Sequence, residues 1–368
     1  MKIFKNFFST AFISLVFMFS GAAITNAGFY DGKDVTVIVN AGAGGGLTRN
    51  ARTLSAYMKK YLGKDTNMII KNVAGGGGVK GFNFLTEKTK ANGLTVLFGS
   101  GQQMAQLLKL RSVRFDFGKM AYIGSSESNY ITIARSDFKP GIKKASDILN
   151  VKKMIAGGRG TTDGLGIWAR LPLMILGIDT RYVTGYRGQP KLNAAIRAKE
   201  IGLLATGGIG YFAFYADTII KSGEAIPLYF HAARGKNGKY SNAGGVFGKV
   251  KHFSDFYKET HDGKLPSGPL WEAYEWLSTY NTRPFGMYAM KAVGDARISE
   301  LRNALRKTAA DSAYRAAYKK QNKTDPNYLI GAEGEFLMSE WQKISPGALA
   351  GLKKLTAKKK KKGGKKKK

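Results

Sequence analysis

Residues 35–52 read VTVIVNAGAGGGLTRNAR, and three kinds of sequence follow one another within them. Val35, Val37 and Val39 alternate with Thr36, Ile38 and Asn40. Both sets are largely apolar, the pattern of a parallel strand buried on both faces. Gly42, Gly44, Gly45 and Gly46 come next, at the carboxyl end of that strand, and a helical pattern begins at Leu47. Glycines here leave backbone N–H groups uncovered at a helix start, where the dipole favours an anion. Open α/β sheets bind ligands at this position, so the stretch reads as one wall of a ligand cleft.

The same unit recurs along the chain. Strands are predicted over 68–73 and 94–98, each followed by small residues (74–78 and 99–101) and a helix (79–89 and 102–108). Further strands are expected at 122–124, 130–135, 154–156, 182–184, 203–206, 226–230 and 283–290, the strand at 226–230 being able to run back towards the first sheet. Gly157–Thr162, Gly185–Gly188 and Gly207-Gly208 are three more glycine loops, and residues 298–318 read as one helix. Residues 232–265 are polar and glycine-rich, with helix only weakly indicated. The fold class that follows is α/β with two domains, which suits a chain of 368 residues.

Lys2 and Lys5 precede an apolar run over 7–23 and then Thr25-Asn26-Ala27, the layout of an export signal cleaved after Ala27. The alternative, an uncleaved anchor, is countered by the shortness of the run and its Ser9, Thr10, Ser14 and Ser20. The chain has no cysteine, which excludes disulfides, thiol nucleophiles and cysteine-ligated metals. Net charge is +34; two of the lysines fall in the leader and nine in the tail 358–368, leaving +23 spread along the rest. Such a field attracts anions without specifying a fold. The lysine tail itself reads as disordered.

One glycine loop is most simply a tight turn. Five of them, with Ser100, Thr161, Thr162 and Thr206 nearby, offer neutral donors beside free amides and suit a carboxylate. Arg159 and Arg187 lie between glycines in the middle of the chain and could pair with such a group, although ordinary surface charge is the plainer reading among 59 Lys and Arg. A dinucleotide fingerprint fails, since the sixth place counted from Gly42 is Leu47, and no loop ends in Gly-Lys-Ser/Thr. His231, His252 and His261 lack metal or triad spacing and are expected to be solvated or capping. No Gly-x-Ser-x-Gly elbow occurs and no paired carboxylates are visible, so no enzyme activity and no cofactor are expected.

These residues, in this order, resemble the extracytoplasmic solute receptors of tripartite tricarboxylate transporters, the Bug-type binding proteins. The likeness begins at Gly28-Phe29-Tyr30-Asp31-Gly32-Lys33 and continues through Gly44-Gly45-Gly46 with Ala51-Arg52. Asn72-Val73-Ala74-Gly75-Gly76-Gly77, Asn92-Gly93-Leu94-Thr95 and Gly185-Tyr186-Arg187-Gly188 extend it. It implies a two-domain, type II periplasmic binding protein that closes on a small carboxylate and docks on an integral-membrane permease. Residues 28–128 plus 233–356 would form the first domain and 129–232 the second, working as a monomer in the periplasm. The site it implies comprises Gly45, Gly46, Thr48, Ser100 and Gly101 facing Gly160, Thr161, Thr162, Tyr186, Arg187, Gly188 and Thr206. Two positions depart from the family: Thr48 stands where an Asp is common, and Glu200-Ile201-Gly202-Leu203 lacks the Asp of Gly-Glu-Val-Asp. Both losses argue against an amino-bearing ligand and fit a plain carboxylate, leaving its identity open; the ligand the resemblance implies is di- or tricarboxylate-like. An exported polyanion binder, driven by net charge, and an enzyme on the same scaffold are the rival readings; nucleic acid is not an expected partner.

Overall fold

A computed structural model describes residues 28–127, 129–235, 237–241, 246–280 and 285–357, so the expected leader and lysine tail lie outside the described residues. Eleven strands are described: β1 (Asp34–Val39), β2 (Asn67–Asn72), β3 (Thr95–Gly99), β4 (Met120–Ser126), β5 (Tyr130–Arg135), β6 (Lys153–Gly157), β7 (Asp179–Val183), β8 (Leu203–Gly207), β9 (Ala225–His231), β10 (Phe285–Met290) and β11 (Tyr328–Ile330). They form two mixed sheets, ordered β11-β4-β10-β3-β1-β2 and β7-β6-β8-β5-β9. Each has a parallel trio, β2-β1-β3 and β7-β6-β8, made by the strand–glycine loop–helix units of the sequence. The other strands run antiparallel: β10 between β3 and β4, β11 beside β4, and β5 between β8 and β9.

β1 is buried on both faces, as its composition predicts. Val35, Val37 and Val39 enter a core with Leu54, Met58 and Leu301, while Ile38 enters the opposite one with Phe82 and Leu97. Each such side chain contributes about 1.5–3 kcal/mol by leaving water, which holds the loop that follows to a rigid base. In the second sheet Ile131, Ile133 and Leu204 face Leu192 and Ile196, and on the other side Leu203 and Tyr229 pack with Trp168.

Several expectations need amending. The strand at 226–230 does not return to the first sheet; β9 pairs with β5 at the edge of the second, and β10 makes the return. The predicted helix 298–318 is two helices, Asp295–Ala310 and Ser312–Asn322, because the Asp311 carboxylate accepts from Ala313 and Tyr314 N–H and starts a new helix. Within 232–265 the helix Phe253–Thr260 forms, capped by His252. The C-terminal third also serves both sheets. Asp295–Ala310 lies on the helix Gly46–Leu62 of the first. The helices Pro269–Tyr280 and Pro346–Thr356 pack together and against Trp168 of the second, where Tyr274 meets the Trp168 ring at 5.4 Å.

Candidate functional site

Between the carboxyl ends of the two parallel trios lies a cavity of about 60 Å³. The first sheet supplies Ala41, Gly42, Gly45, Gly46, Leu47, Ser100 and Phe285 to its wall. The second supplies Tyr130, Arg159, Leu165, Gly188, Gln189, Gly207, Ile209 and Gly210. Three helices begin here on glycine caps that no side chain covers: Gly45 before Gly46–Leu62, Gly188 before Gln189–Arg197 and Gly207 before Gly208–Phe214. Each places first-turn backbone N–H groups and the positive end of a dipole at the cavity, although Gly208 N–H already donates to Asn129 O at 3.1 Å and Pro190 has no N–H to offer.

Asn40, at the end of β1, fixes the first wall. Its amide donates to the Ser100 carbonyl at 2.9 Å and its carbonyl accepts from Ser100 N–H at 3.2 Å, while a longer bond at 3.4 Å reaches Gly78. Thr48 fastens the first glycine loop from behind. Its hydroxyl donates to Gly42 O at 2.9 Å and accepts from Asn72, which also donates to Ala41 O.

Arg159 is the one charged side chain among the described residues of the wall. Its Nε lies 3.4 Å from Asp163 Oδ1, an oxygen that also accepts from Leu165 N–H and so caps the helix Gly164–Ile175. Asp163 is fully buried, and its Oδ2 has no hydrogen-bond partner. Tyr130, held neutral by burial that pushes its phenol well up, presents a hydroxyl against Gly164. The Gln189 carbonyl accepts from the buried Tyr215 hydroxyl at 2.8 Å, which turns its NH₂ end the other way. The cavity thus gathers donors: a guanidinium, a phenol, an amide, Ser100 and three helix starts.

The two halves meet closely around it. A Cβ on Gly42 would lie 2.5 Å from the Arg187 carbonyl oxygen, one on Gly160 would lie 2.7 Å from Gly77 Cα, and one on Gly46 would strike Ile209. Only glycine permits the backbone approaches at Gly42 and Gly160, which bring the two halves into contact beside the cavity.

Of the residues singled out from sequence, Gly45, Gly46, Ser100 and Gly188 line the cavity. Gly160 stands at its lip. The structure does not bring the others into the wall. Thr48 and Thr206 are fully buried behind it, the latter donating to Gly207 O. Gly101 lies against Gln103, Thr162 is buried and Thr161 exposed, its carbonyl receiving Arg170. The Tyr186 hydroxyl donates to Glu200, and Arg187 turns its side chain to solvent while offering its backbone to Gly42. Sequence reasoning named Arg159 as an arginine but left it out of the site; its position two residues after β6, matching Ala41 after β1, was the available signal. Tyr130, Gln189 and Phe285 carried none, since they come from strands and a helix start with no glycine motif. His252 caps a helix as expected, but His231 is neither solvated nor a cap. It is fully buried, stacked on Trp168 and bonded to Thr132 and Tyr274.

No protein-family model matches the chain, and no curated protein does. Solved structures do match it in fold. The periplasmic binding protein BugD aligns over 88% of this chain and 97% of its own, at TM-score 0.63 and 16% identity. MatC of Rhodopseudomonas palustris, solved with malate, aligns over 84% and 98% at TM-score 0.61 and 16% identity. An R. palustris protein solved with adipate covers 88% and 97% at TM-score 0.63 and 14% identity. Two α/β sheets facing one cleft, in this order and over nearly the whole length of these neighbours, give the chain the two-domain type II fold of Bug-type periplasmic binding proteins.

Proposed function

We propose that the protein is an exported solute receptor. A small organic carboxylate enters the cleft, the two halves close on it, and the loaded receptor delivers it to integral-membrane permease subunits of a tripartite transporter. The observation that carries this reading is the convergence of Arg159 and three helix starts without side-chain caps on one cavity. A carboxylate there would accept from the guanidinium and from backbone amides that cannot retreat, an arrangement that favours anions without a large local charge. The solved neighbours that hold malate and adipate support the ligand class. Binding stabilises closure only as far as the ligand prefers the closed form. The protein acts in the periplasm, as a monomer and without catalysis or cofactor.

The test is a thermal-shift screen of the full chain against mono-, di- and tricarboxylates at low and high salt. At one hundred times its dissociation constant, a ligand adds about 2.7 kcal/mol, which raises the melting point by several degrees. A salt-tolerant shift from a narrow chemical series supports the receptor. Shifts from every polyanion that vanish at high salt would show that net charge alone binds.

A further inference from the structure

We propose that the open edge of the first sheet is a docking site for an extended segment of another protein, one that alternates acidic and apolar residues. The inference is independent of what the cleft carries. β2 is the outermost strand of its sheet, and among the described strands only β1 pairs with it. Asn67 N–H donates to Lys33 O and Val73 N–H to Val39 O, so the odd-numbered residues of β2 turn their backbone groups towards β1. Those of Met68 and Ile70 point outwards, where a further strand can pair with them. Ile69, between them, is 49% exposed, an unusual amount for a large apolar residue. Natural edges are commonly guarded by lysine, but Lys71 lays its Nζ over the Phe84 ring at 4.6 Å.

A groove runs between this strand and the helix Gly46–Leu62. Arg52, Ser55, Ala56 and Lys59 form its helical wall, and their spacing of three, one and three sets them on one face. Ser55 and Ala56 are short and leave the space open, while Arg52 and Lys59 bracket it about 10 Å apart along the helix axis. Both cations are exposed, and neither has an ion pair among the described residues; Asp311 goes to Lys60 instead. Asp34, the acid of the groove, already accepts from Asn67. An added strand places alternate side chains on the two faces of the sheet. Met68 and Ile70 pack on the helix side, so the acidic residues of the segment, on that side, meet Arg52 and Lys59. Its apolar residues fall on the opposite face, beside Ile69. Charge disfavours a second copy of this chain as the occupant, because an edge-to-edge pair brings Arg52 and Lys59 against their like.

Fluorescence anisotropy of a labelled peptide of three alternating Glu-Val pairs, titrated with the full chain at about 0.15 M salt, tests this. A control peptide with the same residues in block order, three Glu and then three Val, carries equal charge but does not sort it onto one face of a strand. The alternating peptide should bind about tenfold or more tighter. Arg52→Gln together with Lys59→Gln, both on the surface, should weaken it about fivefold or more. Ile70→Pro deletes an outward N–H while sparing the β1 ladder and should weaken it about tenfold, measured below the melting point of each protein. Equal affinity for the two peptides, or no binding of either, would overturn the proposal. So would undiminished binding by the glutamine pair or by Ile70→Pro. Loss of binding in Arg159→Gln would place the peptide in the cleft and overturn the assignment to the edge, leaving the receptor reading intact.

Discussion

Acidification from pH 7 to pH 4 should weaken the fold through two buried histidines. His252 caps the helix Phe253–Thr260, its Nδ1 accepting from Ser254 N–H at 3.2 Å, and its ring lies 4.2 Å from that of Tyr240. Tyr274 bridges the pair, 3.4 Å from His252 Nε2 and 3.0 Å from His231 Nδ1. No carboxylate hydrogen-bonds either ring among the described residues, so burial dominates and pushes His252 down to about 4 and His231 well below its ordinary value. In the unfolded chain both titrate near 6.5. Below that pH the unfolded state takes up protons that the folded state refuses, so stability is full above about 6.5 and falls towards pH 4. For His252 the gap amounts to about 3 kcal/mol, and His231 acts in the same direction. Asp137 and Asp311 stay ionised through this window, since Arg135 holds the first and Lys60 the second far below the usual carboxylate range. Urea unfolding followed by tryptophan fluorescence at pH 7, 5.5 and 4 reads the loss. His252→Asn keeps a cap acceptor and removes the titration, so its stability should fall by about 3 kcal/mol less over the same interval. Parallel pH profiles for the two proteins would refute the reasoning.

Other consequences follow from single contacts. Gly160→Ala places a carbon 2.7 Å from Gly77 Cα, where carbons normally stay about 3.5–4.0 Å apart, so the lips must part by about 1 Å. That cost, about 1–3 kcal/mol, falls on the closed form; ligand affinity should drop about tenfold or more while the ligand-free melting point holds. Titration beside a melting curve checks it, and a lower melting point with normal affinity contradicts it. Asn40→Ala strands the Ser100 N–H in a buried position and should cost about 1–3 kcal/mol in urea unfolding, with weaker ligand binding because Ser100 loses its place. Arg170 ties the C-terminal helix to the second body, donating to Leu355 O at 2.6 Å and to Thr161 and Gly166 carbonyls. Arg170→Met should therefore lower stability by about 2 kcal/mol or more and expose the helix Pro346–Thr356 to early proteolysis.

Much of this fold is local, and local structure is legible. The run from Val35 to Val39 is apolar on both faces because the strand is covered on both, and the glycines after β1, β7 and β8 announce the helix starts that open on the cavity. What the sequence concealed depends on distant partners. β10 lies between β3 and β4, although more than 150 residues separate it from either in the chain, and no periodicity encodes that choice. The break at Asp311 looks like helix from composition, until its carboxylate is seen to bond forward. At the site, Thr48, Thr161 and Arg187 have the right chemistry in the right loops but face away, because side-chain direction is set by packing. Thr48 turns inward to satisfy Gly42 O and Asn72, and Arg187 turns outward because its backbone fills the gap above Gly42. Arg159 faces the cleft because Asp163, four residues on, steers it from a buried helix cap.

The central claim is that an anion is held inside the cleft by Arg159 rather than over the surface by a net charge of +34. The most direct measurement compares the wild-type chain with Arg159→Gln at high salt, by titration of the carboxylate that best protects the wild type. Removing one charge from this surface leaves its overall field almost unchanged, whereas it removes the sole charged donor of the described wall. The account predicts that binding is lost by about a hundredfold or more in the variant, measured at a temperature where both proteins are folded, since removing Arg159 leaves Asp163 buried without its ion pair and lowers the melting point. Equal affinity in the two proteins would contradict it.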